Sequence, residues 1–224
     1  MQKYEEYSRL LAQGTVPNGV ADILYTTGTT GNAKAVMISH DAIWANTENL
    51  VCAQGFQSDL TFIINGPLNH IGSLSKVYPT IYAGATICLI DGMKDIRTFF
   101  HAIEQAPTKV ATFLVPAAIR MLITLWRNEL KDCADKIDFI ETGAAPMTAS
   151  DMELFCKLLP HSRLYNTYAS TETGIISTYN YNDGECIAGC LGLPMKHSSF
   201  FITADEHVAC TGDTLMTGYW HDDV

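Results

Sequence analysis

The stretch IRTFFHAIEQAPTKVATFLVP, residues 96–116, decides the fold class because a helix is followed in it by a strand. Its first half places four apolar residues at the helical spacing i, i+3, i+4 and i+7: Ile96, Phe99, Phe100 and Ile103. Pro107 ends this helix, because proline lacks the N–H that a helix interior needs. The apolar run 110–115 that follows is short and bounded by Lys109 and Pro116, which indicates a buried strand.

The same alternation continues on both sides of this stretch. Further strands are predicted at residues 21–27, 61–64, 85–90 (a buried strand), 137–140 and 164–168. Further helices are predicted after the cap Ser39 (with Ile43, Trp44, Leu50 and Val51 facing inward), along 119–130, and after Thr148 or Ser150. Strands that alternate with helices predict an α/β fold with a mostly parallel sheet flanked by helices.

The composition changes near residue 180. Residues 184–219 are rich in glycine, with short β-like runs and no helical stripe. We therefore expect an α/β core at 1–180 and a β-rich segment of the same large domain at 181–224.

Composition excludes several classes of protein. Among 224 residues, 14 Lys and Arg face 24 Asp and Glu, and a formal net charge of −10 argues against a general nucleic-acid binder. No apolar run approaches the length of a membrane span, and the start of the chain lacks the apolar segment of a signal peptide. The seven cysteines are scattered and lack zinc-site spacing, so we expect reduced thiols in a cytoplasmic protein.

The loop YTTGTTGNAK, residues 25–34, has the composition of an anion-binding loop. Its two glycines let successive backbone N–H groups turn toward one anion, its four threonines add hydroxyl donors, and Lys34 adds a positive charge. Such a loop suits a polyphosphate. A Walker A loop is excluded because Ala33 and Ala35 stand where that motif needs glycine and Ser or Thr. A threonine-rich turn is the alternative interpretation.

Two more loops follow predicted strands, where ligands of parallel sheets lie. In NTYASTETG, residues 166–174, Glu172 could hold Mg²⁺ against phosphate oxygens, Thr171 could bond a phosphate, and Tyr168 offers a flat face to a base. In Gly143–Pro146, small residues would let a planar ring approach the backbone. Taken alone, residues 166–174 are better explained as a polar turn, and Gly143–Pro146 is explained equally well as a tight turn between a strand and a helix.

Together these loops resemble the AMP-forming acid ligases, which include acyl- and aryl-CoA synthetases, peptide-synthetase adenylation domains and firefly luciferase. Residues 25–40, YTTGTTGNAKAVMISH, look like the signature loop of that superfamily. Five later motifs follow in the family's order: Pro67–His70, Gly143–Pro146, Tyr168–Glu172, Gly189–Pro194 and Leu215–Trp220. The resemblance covers nearly the whole chain from about residue 20.

The resemblance implies a reaction. A carboxylate attacks the α-phosphate of ATP, pyrophosphate leaves, and the acyl-adenylate passes its acyl group to a thiol such as that of CoA. ATP, Mg²⁺ and CoA are the implied cofactors, and a small-molecule carboxylate and a thiol acceptor (CoA or a carrier protein) are the implied partners. Residues 1–180 would form the nucleotide-binding core.

The resemblance also implies roles for residues. The β- and γ-phosphates would be held by Thr26, Thr27, Gly28, Thr29, Thr30, Gly31 and Lys34. Thr171 would touch the α-phosphate, and Glu172 would hold Mg²⁺. Tyr168 would stack on adenine beside Gly143, Ala144 and Ala145, and His70 would lie near the acyl carboxylate. A hydrogen-bonded, buried core histidine is the alternative for His70.

The sequence departs from the family's pattern in several places. Ala33 and Ala35 stand where proline and glycine are usual around the lysine, and Ala169 replaces a glycine. Family members are more than twice as long, and their ribose-binding aspartate follows the Gly218-Tyr219 landmark. Asp213, in an imitation of that Thr-Gly-Asp motif, precedes the landmark, so we interpret it as a turn residue. We expect a core fragment, a truncated relative or one part of a split enzyme.

Three functional hypotheses remain open. The first is an acid–thiol ligase core, for a substrate without an α-amine because no acidic residue accompanies His70 in NHIGS. The second is a module that binds ATP or AMP without catalysis. The third is an interaction protein derived from this fold, with a complementing chain or a second copy as its partner.

Overall fold

The computed structural model describes residues 19–27 and 33–220. Its strands are β1 (Val20–Thr27), β2 (Ala33–Ser39), β3 (Leu60–Ile64), β4 (Thr86–Leu89), β5 (Lys109–Phe113), β6 (Ile137–Thr142), β7 (Arg163–Ser170), β8 (Gly174–Asn180), β9 (Leu193–Pro194), β10 (Ser198–Ile202), β11 (Val208–Gly212) and β12 (Gly218–Tyr219). Its α-helices are α1 (His40–Gln54), α2 (Ile71–Tyr82), α3 (Ile96–Gln105), α4 (Pro116–Leu125), α5 (Arg127–Asp132) and α6 (Ala149–Leu158). Single 3₁₀ turns lie at Ala134–Lys136 and Tyr181–Asp183.

The largest sheet has seven strands in the order β4-β3-β5-β6-β7-β8-β9. The pairs from β4 to β7 are parallel, and β8 and β9 add antiparallel strands at one edge. Every connection between neighbouring parallel strands contains at least one helix, as parallel pairing requires. The predicted α/β class with a mostly parallel, helix-flanked sheet is confirmed.

Hydrophobic clusters cover both faces of this sheet, because successive strand residues point to opposite faces. Ile63 and Ile140 pack with α3, α4 and α6, and all four predicted apolar positions of α3 are buried there. Their neighbours Phe62 and Phe139 pack on the other face with Leu50 of α1. The carboxyl ends of the strands are thereby fixed between two helical layers.

Several local predictions are corrected by the structure. Trp44 is 53% exposed and does not face inward on α1, where small and polar residues fill the interface instead. Strand β4 is an edge strand with Leu89 exposed, so the predicted burial of 85–90 is wrong. The predicted helix along 119–130 breaks at Trp126 into α4 and α5. Thr148, and not Ser150, caps α6 by accepting a hydrogen bond from the Asp151 N–H.

Two smaller sheets complete the described chain. Strands β1 and β2 form an antiparallel pair, and β12 joins β2 from the far end of the sequence. Strands β10 and β11 form a separate hairpin. No helix in the described ranges is long and apolar enough to cross a membrane.

Candidate nucleotide site

A cavity of about 240 Å³ opens where β6 and β7 end. It brings together the predicted base-binding residues Gly143, Ala144, Ala145 and Tyr168. Met147 and Met152 add apolar side chains to the lining, and Gly189, Cys190 and Leu191 complete it from a later part of the chain. Neighbouring parallel strands end at the same edge, so two loops far apart in sequence meet in one cavity.

The backbone of the Gly143 loop is tightly constrained. A Cβ at Gly143 would lie 2.8 Å from the Thr167 carbonyl oxygen, so no other residue fits without movement of the backbone. Ala144 has φ of 68°, a left-handed conformation that costs a residue with a side chain about 1–2 kcal/mol. The loop therefore presents main chain and methyl groups, and little else, to the cavity.

Tyr168 lies on β7, which pairs antiparallel with β8. Its side chain is 40% exposed although it borders the cavity, so a ring face is accessible to a planar ligand. Asn166, two positions earlier, donates from Nδ2 to the Cys190 carbonyl oxygen at 2.9 Å. That bond fastens residues 189–191 to β7 and gives the cavity its outer wall.

Lys34 and Glu172 meet through a third residue, Tyr219. The Lys34 Nζ lies 4.5 Å from the centroid of the Tyr219 ring, and the Tyr219 hydroxyl donates to Glu172 Oε1 at 3.1 Å. The Met216 N–H donates to the Glu172 carbonyl oxygen at 2.8 Å, so the backbone before β12 holds the Glu172 turn in place. A cation and a carboxylate predicted on separate loops thus lie at one place, joined by Tyr219, which the sequence analysis names in a family motif but not as a site residue.

The predicted phosphate-binding loop lies partly outside the described residues. The predicted residues Gly28, Thr29, Thr30 and Gly31 fall in the gap, and Thr27 is described only as the last residue of β1. Thr26 stands opposite Lys34 in the β1–β2 register. The two ends of the loop are therefore adjacent strand positions.

Thr171 lies in the turn between β7 and β8 and does not line the 240 Å³ cavity. It borders a separate small cavity of about 20 Å³ with Asp22, Tyr78 and Thr214. The turn itself is fixed by Ser170 and Thr173, whose hydroxyl oxygens are 3.1 Å apart. Thr171 and Glu172 are thus presented on a well-ordered turn.

His70 caps the N-terminus of α2. Its Nδ1 accepts a hydrogen bond from the Gly72 N–H at 3.1 Å, so a neutral ring carries its proton on Nε2. The side chain is exposed, which makes the alternative of a buried core histidine wrong. The cap leaves Nε2 as the ring atom that can meet a ligand.

Asp213 contacts a structural cluster. It does not line the 240 Å³ cavity, which we call the base cavity after its predicted ligand. Its Oδ2 lies 3.1 Å from Nδ1 of His197, whose Nε2 lies 2.6 Å from Glu48 of α1. The hydrogen bond from Lys196, and to a smaller extent that with His197, holds the pKa of Glu48 below its usual range. This geometry supports the interpretation of Asp213 as a turn residue.

The structure adds a buried ion pair that the sequence analysis missed. Lys76 Nζ of α2 donates to Glu141 Oε1 at 2.7 Å, with both side chains at most 1% exposed. Glu141 also accepts from Gln54 Nε2 at 3.0 Å and from Thr167 Oγ1 at 2.9 Å. Burial lowers the pKa of Lys76, and the attraction of Glu141 opposes that change. A charged residue inside the apolar strand IDFIET was the available signal.

The residues present fit a metal ion only in company with a nucleotide. In residues 19–27 and 33–220, no group of three or more His, Cys, Asp or Glu side chains could hold an ion by itself. Glu172, half-buried, offers a carboxylate beside Lys34 and Tyr219. One carboxylate together with phosphate oxygens is the ligand set that Mg²⁺ takes in phosphate-binding sites.

Comparison with curated proteins shows similarity to CoA ligases. The chain is 30% identical over 213 residues to indoleacetate–CoA ligase of Aromatoleum aromaticum, covering 89% of this chain and 41% of that protein. It is 30% identical over 225 residues to 4-coumarate-CoA ligase 1 of Narcissus pseudonarcissus, covering 91% of this chain and 40% of that protein. The chain thus spans about two fifths of the length of these relatives.

Solved structures share the fold. MatB from Rhodopseudomonas palustris in its apo form superposes with a TM-score of 0.80 at 24% identity, over 93% of this chain and 43% of that one. O-succinylbenzoate Coenzyme A synthetase (MenE) from Bacillus subtilis in complex with AMP gives a TM-score of 0.79 at 22% identity, over 90% of this chain and 42% of that one.

The fold, the order of the loops and the sequence similarity all indicate the same protein family. The model of the family described as AMP-binding enzyme matches residues 3–220, nearly the whole chain, and the protein therefore belongs to the AMP-binding enzyme family.

Proposed function

We propose that this chain forms the ATP-binding core of an AMP-forming acid–thiol ligase, which activates a carboxylic acid as its acyl-adenylate. The observation that carries the proposal is the 240 Å³ cavity, in which Tyr168 and the Gly143–Ala145 loop meet at the carboxyl ends of parallel strands. An apolar cavity with an accessible aromatic face suits a nucleotide base. The relatives named as CoA ligases support the same chemistry.

The nucleotide would lie across both halves of the site. Adenine would stack on Tyr168 against the Gly143 loop, and the phosphates would extend toward Lys34 and Thr26. Lys34 would neutralise phosphate charge, which this chain of net charge −10 otherwise repels. Thr171 would bond the α-phosphate from its turn.

Glu172 would hold Mg²⁺ brought with the nucleotide, and the ion would supply charge neutralisation at the phosphates. Tyr219 would orient the carboxylate through its hydroxyl, since it already donates to Glu172. Placement of charge before the reaction, rather than a covalent step by the protein, is the catalytic contribution that we propose.

The carboxylate substrate would lie near Nε2 of His70. One of its oxygens would attack the α-phosphorus, the bond to the bridging oxygen of the β-phosphate would break, and pyrophosphate would leave. The thiol of CoA or of a carrier protein would then attack the acyl carbon and AMP would leave. We propose a complementing chain or a second copy as a further partner.

Exchange of radiolabelled pyrophosphate into ATP tests the proposal. We expect the purified chain to show exchange above a no-acid blank when it is given a pool of short, long and aryl carboxylates. Exchange should be lost in Glu172→Ala. ATP binding without exchange in any acid would instead indicate a binding module, and absence of ATP binding would contradict the proposed function.

Direct measurement of Mg·ATP affinity tests the individual roles. Lys34→Ala should weaken binding by about 10- to 100-fold, the effect of losing one charged hydrogen bond. Asp213→Ala serves as the matched control and should leave the affinity unchanged within about twofold, because Asp213 lies on the structural cluster. Equal ATP affinity of wild type and Lys34→Ala would contradict the assigned site.

A further inference from the structure

Tyr181 borders the base cavity together with the Gly143 loop. It lies in the 3₁₀ turn that follows β8 and is only 3% exposed. Its ring meets that of Tyr179 edge to face, with centroids 5.7 Å apart. Because the ring packs in the hydrophobic core while the residue lines the cavity, its position is set by the protein and not by a ligand.

Two asparagines fix the turn that carries Tyr181. Asn180 Oδ1 accepts from the Leu164 N–H at 2.9 Å and from the Asn182 N–H at 3.2 Å. Asn182 Nδ2 donates to the Leu159 carbonyl oxygen at 3.0 Å. The residues on both sides of Tyr181 are thereby fastened to β7 and to the end of α6.

The hydroxyl of Tyr181 is buried without a hydrogen-bond partner among the residues that the structure describes. Burial raises its pKa, and the nearby thiols of Cys186, Cys190 and Cys156 raise it further, so the group is a neutral O–H. An unpaired buried hydroxyl is energetically unfavourable, because it has lost its hydrogen bonds to water without gaining others. Tyr181 and Cys190 both line the cavity.

We propose that the Tyr181 hydroxyl recognises the nucleotide base by donating a hydrogen bond to one of its ring nitrogens. This inference rests on the proposed function, because it assigns a purine base to the cavity. A phenolic O–H is a good donor, and purine ring nitrogens are acceptors. Tyr181 would therefore be a specificity-determining residue, while Tyr168 supplies the stacking face that any base could use.

Tyr181→Phe tests the inference because it keeps the ring and removes only the oxygen. By calorimetry with Mg·ATP, we expect the affinity to fall by about three- to tenfold, the effect of losing one neutral hydrogen bond. Tyr179→Phe is the matched control, since that hydroxyl donates to the Glu185 carbonyl oxygen and Tyr179 does not line the cavity. We expect this control to bind Mg·ATP as the wild type does.

Nucleotides that lack one ring nitrogen identify the contact. With 1-deaza-, 3-deaza- and 7-deaza-ATP, one analogue should lose as much affinity in the wild type as ATP loses in Tyr181→Phe. The same analogue should lose nothing more in the variant, because donor and acceptor belong to one bond. Independent, additive losses for all three analogues would overturn the inference.

Thermal unfolding without nucleotide gives a readout that a purely structural role would not produce. We expect Tyr181→Phe to unfold at the same temperature as wild type or higher, because it removes an unpaired buried group. A lower unfolding temperature would overturn the inference, since the hydroxyl would then have a partner inside the protein.

The outcomes separate the inference from the proposed function. Equal ATP binding by wild type and Tyr181→Phe would overturn the inference and leave the function standing. Failure of the wild type to bind ATP would overturn both.

Discussion

Glu141 shows how much a single buried residue holds together in this fold. Its carboxylate receives Lys76 from α2, Gln54 from α1 and Thr167 from β7. Thr167 immediately precedes Tyr168, and Glu141 lies two positions before Gly143, so one carboxylate joins both walls of the base cavity to the helix capped by His70. An ion pair this deeply buried is strongly unfavourable to break from one side.

We expect Glu141→Gln to lower the free energy of unfolding by about 3–5 kcal/mol, because Lys76 would remain buried without a counter-charge. Urea denaturation measures this change. The double variant Lys76→Met/Glu141→Gln should recover much of the loss, since no unpaired charge remains. Arg97→Ala, which removes an exposed ion pair with Asp95, serves as control and should have a far smaller effect. A small effect of Glu141→Gln would show that water reaches the pair.

Cys133 makes the stability of the fold depend on pH in the alkaline range. Burial raises the pKa of its thiol from 9.0 to about 11. Between pH 9 and 11 the Cys133 thiol is deprotonated in the unfolded chain and protonated in the folded chain. The contribution of this thiol to stability is therefore fully present below pH 9 and is lost as pH rises toward 11.

We expect Cys133→Ala to show a shallower fall of stability between pH 9 and 11 than wild type. Chemical denaturation at a series of pH values measures the slope. Cys52→Ala removes an exposed thiol instead and should keep the wild-type slope. Identical slopes for wild type and Cys133→Ala would contradict the expectation.

Among the helices, α6 is positioned by Thr148, the residue that caps its N-terminus. Thr148 Oγ1 accepts from the Asp151 N–H at 3.2 Å, directly after the Gly143–Pro146 loop. The cap therefore fixes both the start of the helix and the end of a wall of the base cavity.

We expect Thr148→Ala to lower the free energy of unfolding by about 1 kcal/mol, because an N–H at the helix start loses its partner. Ser150→Ala is the matched control and should change stability by less than about 0.5 kcal/mol, as surface substitutions do. Urea denaturation of both variants distinguishes them. A larger effect at Ser150 would instead indicate that Ser150, the other start that the sequence allows, caps the helix.

A helix with a complete apolar stripe was predicted together with its buried face, whereas a helix with a polar interface was either missed or given a wrong buried face. Helix α3 was predictable because its buried positions are all apolar. Helix α2 was not, because it buries Ser73, Ser75, Lys76 and Thr80. Strand β8 was missed because the turn residues before it looked like the end of an element. Tyr181 was missed for the same reason, since the asparagines around it are typical of loops.

At the scale of the whole molecule, the order of the loops along the chain was predictable. Which loops lie side by side in the folded protein was predictable only in part. Parallel strands oblige the Gly143 and Tyr168 loops to meet at one edge, and the structure places them in one cavity. The contact of Lys34 with Glu172 depends on Tyr219, which lies on β12 beside β2. No local sequence pattern predicts pairing between strands that are this far apart in the chain.

Binding of the nucleotide should stabilise the whole molecule. At an Mg·ATP concentration about 100 times Kd, mass action adds about 2.7 kcal/mol, which raises Tm by about 5–10 °C. Differential scanning fluorimetry measures the shift. Excess EDTA should reduce it in wild type and change it little in Glu172→Ala, because that carboxylate is the proposed metal ligand. A shift in wild type that is insensitive to EDTA would contradict the metal assignment.

The pairing of β12 with β2 also bears on how the protein is made. Met37 leaves the ribosome long before its partner Gly218 does, so the edge of β2 that pairs with β12 must wait until residues 38–217 have been synthesised. Such distant pairings form late and slowly. The parallel sheet from β3 to β7 can assemble beforehand in the order of synthesis. We therefore expect the base cavity to form before the Lys34–Tyr219–Glu172 contact. A newly made chain would thus acquire its charged site after its base cavity.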